Sequence, residues 1–319
     1  MKNINNKHRK LLTTELILLV ILIIFWIFLL KMSPYFFTAT NIKNIFNQQA
    51  VVGILAIGQL FVILTGGIDL SVGEVLALSN ISLALLTVNG CPVPLAIILV
   101  LLLASSIGFF NGFMVYKLRI PAFIVTLGTM SIALGATLLV SRGMDIFGLP
   151  SCFSGFMLKH ILGLPGLTFV FLLVVIIGEL ILRHSVFARH IYAIGGSLKA
   201  ARLSGVNIKA IICSVYTISG FLAGVGGVLQ TCLLNMGVSS TGATYNLESI
   251  AAVIIGGASL FGGKGSAIGT FLGSMLMVTL YNGAVLMNIN PFWQLVILGI
   301  VILVVVAIDQ LRKGTMLYE

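Results

Sequence analysis

AVVGILAIGQLFVILTGGIDLSVGEVLALSNISLALLTV, residues 50–88, carries two long apolar runs separated by one short polar break. A helix needs roughly 17–25 apolar residues to cross a hydrocarbon core of about 30 Å. The two runs, read as spans over about 48–65 and 73–89, come close to that length, and TGGIDLSVGE at 65–74 marks where they meet. Such a pair cannot be folded around one soluble core, so the stretch decides the fold class: helices that cross a membrane and return.

The pattern extends in both directions. Hydropathy and its breaks predict ten spans, at about 11–30, 48–65, 73–89, 94–116, 121–141, 165–182, 210–230, 248–262, 266–286 and 292–309. The chain is 59% hydrophobic with a mean hydropathy of +1.17, more than any soluble domain requires. An all-α polytopic membrane protein is expected, with a single transmembrane domain over 1–319 and no soluble domain. The longest hydrophilic connection is 183–209. The eighth span, with SIAAVIIGGASLFGG inside it, is short and glycine-rich, which leaves a continuous span or a broken, re-entrant one. MKNINNKHRK followed by the apolar 11–30 superficially resembles a secretory signal. The apolar part is too long and no small-residue cleavage site follows, so a retained first helix is expected.

A net charge of +10 raises the question of nucleic acid. With the N-terminus inside, fourteen of the eighteen Lys and Arg fall on the cytoplasmic side and four (Lys31, Lys43, Arg142, Lys159) outside. That is the positive-inside bias of membrane proteins. It places both termini in the cytoplasm, as tails at 1–10 and 310–319 with a basic loop at 183–209, and removes nucleic acid as a partner. Glycine supplies 35 residues, several in adjacent pairs, consistent with close helix packing in lipid. GGIDLSVG (66–73) and GGKGSAIG (262–269) share one spacing, a hint of duplicated halves. Four cysteines have no metal-type spacing; a bridge between Cys91 and Cys152 is compatible with both lying outside.

No enzyme is expected, and no cofactor or metal. A nucleotide-binding loop needs G-x4-G-K-[ST]; GGASLFGGKGS at 256–266 has Ala258 for its first glycine and Gly265 for its hydroxyl residue. The four histidines are scattered, and no nucleophile–base spacing occurs. Among the acids, Asp69, Glu74, Glu179 and Glu248 lie in or beside spans, where a charge is costly and turns towards protein or water. TGGIDLSVGE has two readings: a broken element lining a polar pathway, or a tight cytoplasmic turn with Asp69 capping the third helix and Glu74 favouring its dipole. Polar residues at helix depth include Gln59, Asn111, Thr126, Thr129 and Ser131, either a translocation surface or interhelical hydrogen bonds. Together with Asp69, Ser71, Glu74 and Glu248 they are the candidates for a path suited to a neutral, hydroxyl-rich solute. The alternative, an ion- or proton-coupled secondary transporter, would need a relay, for which only Glu179, Glu248, Asp69 and Glu74 are available.

In the basic loop, Ser197 can cap a two-turn helix from Leu198 to Ser204 that Gly205 would stop. Lys199 and Arg202 share one face, Ala200 and Leu203 another. So short a helix is marginal alone and would persist best against a partner; a loop lying on anionic lipid is the other reading. TGGIDLSVG (65–73), RIPAFIVTLGTM (119–130), GGSLKAARLSGV (195–206) and ESIAAVIIGGASLFGGKGS (248–266) together resemble the permease subunits of ribose-type bacterial carbohydrate ABC importers, related to branched-chain amino acid permeases. The resemblance runs from about 40 to 310. It implies an inner-membrane permease that imports a monosaccharide by alternating access. It also implies a second permease copy or paralogue, an ATP-binding subunit that hydrolyses ATP, and an extracytoplasmic sugar-binding protein. Residues 197–206 would be the helix that docks on the ATP-binding subunit, through Ser197, Lys199, Ala200, Ala201, Arg202, Leu203, Ser204 and Gly205.

Overall fold

The computed structural model describes residues 2–150, 153, 160–161 and 164–317. Its helices, in chain order, are α1 (Lys2–Met32), α2 (Ala39–Leu64), α3 (Val72–Val88), α4 (Val93–Leu118), α5 (Ala122–Ser141) and α6 (Gly166–His184). There follow α7 (Val186–Gly196), α8 (Leu198–Leu203), α9 (Ile208–Leu234), α10 (Tyr245–Ile255), α11 (Ala267–Leu286) and α12 (Pro291–Leu317). Among the described residues, β1 (His160–Ile161) pairs antiparallel with β2 (Leu164–Pro165) before α6, and Ile146 bridges Gly237. Each of the ten expected spans coincides with a helix, but eight are long and apolar enough to cross a membrane; α3 has 17 residues and α10 has 11.

Local chemistry sets the helix starts. The hydroxyl of Thr38 accepts the Asn41 N–H at α2, the Asn207 amide oxygen accepts the Ala210 N–H at α9, and Ser266 Oγ accepts the Gly269 N–H at α11. Pro92 and Pro121 precede α4 and α5, where a missing N–H costs nothing. Burial then sorts the helices. α2 is the central post, with 89% of its apolar window inside the bundle, and α9 and α11 surround it; α12 has 6% inside. The exposed faces of α1, α4, α5, α6 and α12 are leucine, isoleucine, valine and phenylalanine, as a lipid-facing surface requires.

Small residues bring α4 close against α9. Ala104, Gly108 and Gly112 on α4 meet Gly224, Gly220 and the Cys213–Tyr216 backbone on α9; a Cβ at Gly112 would lie 2.8 Å from Cys213 Cα. A second such crossing sets Ala252 and Gly256 of α10 on Gly273 and Gly269 of α11. The glycines read from the sequence as packing residues are packing residues at these contacts.

Two helices start in the middle of the bundle. α3 runs beside α9 with Gly226 on Leu76 and Gly227 on Ser79, which sets Gly73 level with the midpoint of α9. α10 begins against it: the Gly73 N–H donates to Asn246 Oδ1 at 2.6 Å. The break at 65–71 is therefore no plain turn at the membrane surface. The chain reverses at Gly66 (φ +80°), where α2 ends, and climbs back into the bundle until Asp69 meets Ser219, near the midpoint of α9. The eighth expected span, 248–262, is the broken alternative: α10 ends at Ile255, and 256–266 forms a loop that turns at Gly257 and Gly262.

Candidate functional site

At the end of the bundle where the basic connections gather, the expected loop 183–209 is two consecutive helices. Ser185 caps α7, its hydroxyl accepting the Ala188 N–H at 3.0 Å, and Ala188, Ile191 and Ile194 bury one face. The signal was in the sequence, a serine cap before apolar residues at a spacing of three. α8 follows the expected chemistry. Ser197 Oγ accepts the Ala200 N–H at 3.3 Å, and Gly205 takes φ +77°. The Val206 N–H reaches Ala201 O and the Gly205 N–H reaches Arg202 O, the paired closure of a Schellman end. The helix ends at Leu203, one residue before the expected Ser204. Lys199, Ala200, Arg202, Leu203, Ser204 and Gly205 are turned outward, with Leu203 82% exposed; Ala201, 2% exposed, faces the bundle instead.

This helix pair is fastened to the interior by a glycine node. The Gly263 N–H donates to Leu64 O, the last residue of α2, at 2.9 Å. Gly195 of α7 sits so close to Leu64 O and Gly263 N that any Cβ there would overlap both. Gly66 and Gly262, the leading glycines of the two echoed motifs, abut: a Cβ at Gly262 would stand 2.8 Å from Gly66 N. The Tyr192 hydroxyl donates to Gly265 O at 2.8 Å, and burial beside the Glu179 carboxylate pushes its pKa up to about 12, so it stays a donor.

Most polar residues singled out at helix depth form one network around Asp69. Asp69 Oδ1 accepts the Ser71 N–H (3.0 Å) and Ser71 Oγ–H (2.6 Å), and Oδ2 accepts the Ser219 hydroxyl (3.0 Å). The Gln59 amide, oriented by these partners, bonds both the N–H and C=O of Asp69 at 3.1 Å. Asn111 Nδ2 donates to Ser71 Oγ (3.0 Å), and Thr129 Oγ1 donates to Asn111 Oδ1 (2.6 Å). Thr126 Oγ1 reaches Ile68 O at 3.2 Å. Asp69 holds the residue ahead of α3 rather than capping its first free amides, and Ser131 bonds its own helix on an exposed face. These groups bond one another, and they brace the re-entrant segment against α2, α4, α5 and α9.

Glu74 and Glu248 stand apart from that network, at the junction of the two half-length helices. Glu74, 4% exposed, lies in the first turn of α3 against Gly242; Glu248 lies in the first turn of α10, within electrostatic reach of Tyr245 and Tyr281. Helix N-termini carry partial positive charge, so carboxylates there are favoured. Gln230, Thr241 and Tyr245 continue the polar surface: Gln230 Nε2 donates to Thr241 Oγ1 (3.1 Å), and the Tyr245 hydroxyl to Gln230 Oε1 (3.3 Å).

Three acids converge on 256–268. Asp309 Oδ2 accepts Ser259 Oγ–H (3.2 Å) and the Leu260 N–H (3.1 Å), and Glu15 Oε1 accepts Ser266 Oγ–H (2.6 Å). Glu179 pairs with Arg183, and its other oxygen accepts the Ala267 and Ile268 amides at 2.9 and 3.2 Å. Glu179 is thus a clamp on the start of α11. Its partners lie nearly ninety residues away in the chain, which no local spacing could signal. Cys91 carries a free thiol, and Cys152 lies outside the described residues.

A family described as branched-chain amino acid transport system / permease component matches residues 41–306. The ribose import permease protein RbsC of Bacillus subtilis (strain 168) is 39% identical over 89% of this chain and 88% of its own. The D-allose transport system permease protein AlsC of Escherichia coli (strain K12) is 36% identical over 88% and 87%, and the fructose import permease protein FrcC of Rhizobium meliloti 36% over 87% and 80%. No solved structure matches the chain. The chain belongs to this permease family and is a multi-pass protein of the inner membrane.

Proposed function

We propose that this member of the permease family is the membrane subunit of an ATP-driven importer that carries a monosaccharide inward by alternating access. The basic end of the bundle is cytoplasmic. There α8 docks on a separate ATP-binding subunit through Ser197, Lys199, Ala200, Arg202, Leu203, Ser204 and Gly205, while Ala201 seats the helix on the permease. A second permease copy or paralogue and an extracytoplasmic sugar-binding protein complete the assembly, and the relatives' sugars (ribose, allose and fructose) set the substrate class. One observation carries this reading: a six-residue helix, marginal on its own, is capped at both ends and presents Leu203 to the outside.

The Asp69 network is the brace of the re-entrant segment, and Glu74 and Glu248 are the acids placed to face solute. The glycine node gives the docked helix a stiff route to both broken elements, because Gly195 touches the end of α2 and the 262–263 turn together. Co-purification and uptake test the proposal. A chain with Lys199→Glu and Arg202→Glu is expected to insert normally yet lose its ATP-binding partner and its uptake of labelled monosaccharide in reconstituted vesicles. Full uptake by the unpartnered chain, driven by an imposed proton gradient, would establish a secondary transporter instead.

A further inference from the structure

A cavity of about 680 Å³ opens at the basic end, between the 65–67 turn, the α4–α5 corner, α8 and the foot of α9. Its size falls within the range of small-molecule sites, roughly 300–1,000 Å³. Lys117 and Arg119 line it from the α4–α5 corner and Arg202 from α8, and no Asp or Glu is among its lining residues. None of the three bases forms an ion pair with a described carboxylate. Lys117 and Arg119 also complement the C-terminal dipole of α4, which accounts for a base at that corner. It does not account for a third base brought to the same cavity from α8.

Tyr216 closes the inner wall. Tyr216 is 1% exposed, and its hydroxyl has no hydrogen-bond partner among the described residues. That oxygen lies against Gly67, itself a lining residue: a Cβ there would be 2.6 Å from it. The hydroxyl is closed off from the cavity, so Tyr216 forms wall there rather than a ligand contact. Asp69 lies beyond Tyr216 with both carboxylate oxygens already accepting hydroxyl or amide protons, so it does not line the site.

We propose that this cavity binds a phosphate-bearing anion, with Arg119, Lys117 and Arg202 around the phosphate. Guanidinium groups match phosphate oxygens in geometry, and a cavity with cations and no carboxylate favours an anion. Two sources present that chemistry: a soluble phosphate ester, or the headgroup of an anionic lipid. Binding does not depend on the transport reading, since it concerns this chain alone.

The test uses the full chain in nanodiscs of neutral phosphatidylcholine, titrated by calorimetry at low salt with three probes: ribose 5-phosphate, inorganic phosphate and a short-chain phosphatidylglycerol. Saturable binding of at least one probe is expected, with unphosphorylated ribose giving none at this site. Arg119→Gln should weaken it about tenfold, the size of one lost charge-assisted hydrogen bond, with Arg119→Lys recovering part. Tyr216→Phe should leave it unchanged, because the Tyr216 hydroxyl does not reach the cavity. Binding of the soluble esters assigns a metabolite, and binding of the lipid probe alone assigns a headgroup. If no probe saturates, or if Arg119→Gln and Lys117→Gln chains that elute and melt like the parent bind unchanged, the site does not exist.

Discussion

Asp69 receives three donors on two oxygens, and each comes from a side chain or amide that would otherwise be buried unpaired. A carboxylate with 1% exposure is tolerated only when its hydrogen-bonding capacity is met. Ser219→Ala removes the one donor on Oδ2 and leaves no cavity that a hydrated group could enter, so a loss of about 1–3 kcal/mol is expected. Thermal unfolding of the purified protein in detergent measures it, as a lower midpoint. In the proposed reading Asp69 braces the chain and does not meet solute, so the rank order of competing sugars in an uptake assay should be unchanged in that variant. A reordered preference at an unaltered midpoint would return Asp69 and Ser219 to the pathway.

Helix contacts in lipid depend on how near two backbones come, so the α4–α9 crossing predicts a sharp contrast between two glycines. Gly108→Ala would drive a methyl group into the Tyr216 carbonyl and the Gly220 backbone, whereas Gly128 on α5 has open space around its Cβ direction. The first substitution should cost several kcal/mol in detergent melting, by forcing the helices apart. The second should be neutral or stabilising by about 0.5–1 kcal/mol, the ordinary gain of Ala over Gly inside a helix. Equal midpoints for the two variants would remove the crossing as a source of stability. At this scale the sequence was legible wherever a signal is local. The ten apolar helices, the Ser197 cap, the Gly205 stop and the role of paired glycines could all be read from adjacent residues. The depth of 65–71 could not, because hydropathy counts residues without placing them. Asp69 rises into the bundle on account of Ser219, 150 residues further on. For the same reason the sequence places Glu179 no further than in or beside a span, while in the fold it clamps the start of α11.

The whole molecule is electrically lopsided, and its asymmetry follows the fold. α7 and α8 bring Arg189, Lys199 and Arg202 to one end, which also holds Lys117, Arg119 and Lys264, while the opposite end carries Lys31, Lys43 and Arg142. Basic segments resist translocation, so the crowded end is expected in the cytoplasm. The chain contains a reporter for this. Cys91, between α3 and α4 at the sparse end, is partly exposed with a free thiol, while Cys213 and Cys232 are buried. In intact cells expressing a Cys152→Ser chain, a membrane-impermeant maleimide should label Cys91 once the outer surface is accessible. An added Arg202→Cys thiol should stay unlabelled until the membrane is permeabilised. In inside-out vesicles the two accessibilities should exchange. The opposite pattern would invert the bundle, and with it the assignment of α8 to a cytoplasmic ATP-binding partner, since a helix on the outer face could not meet one.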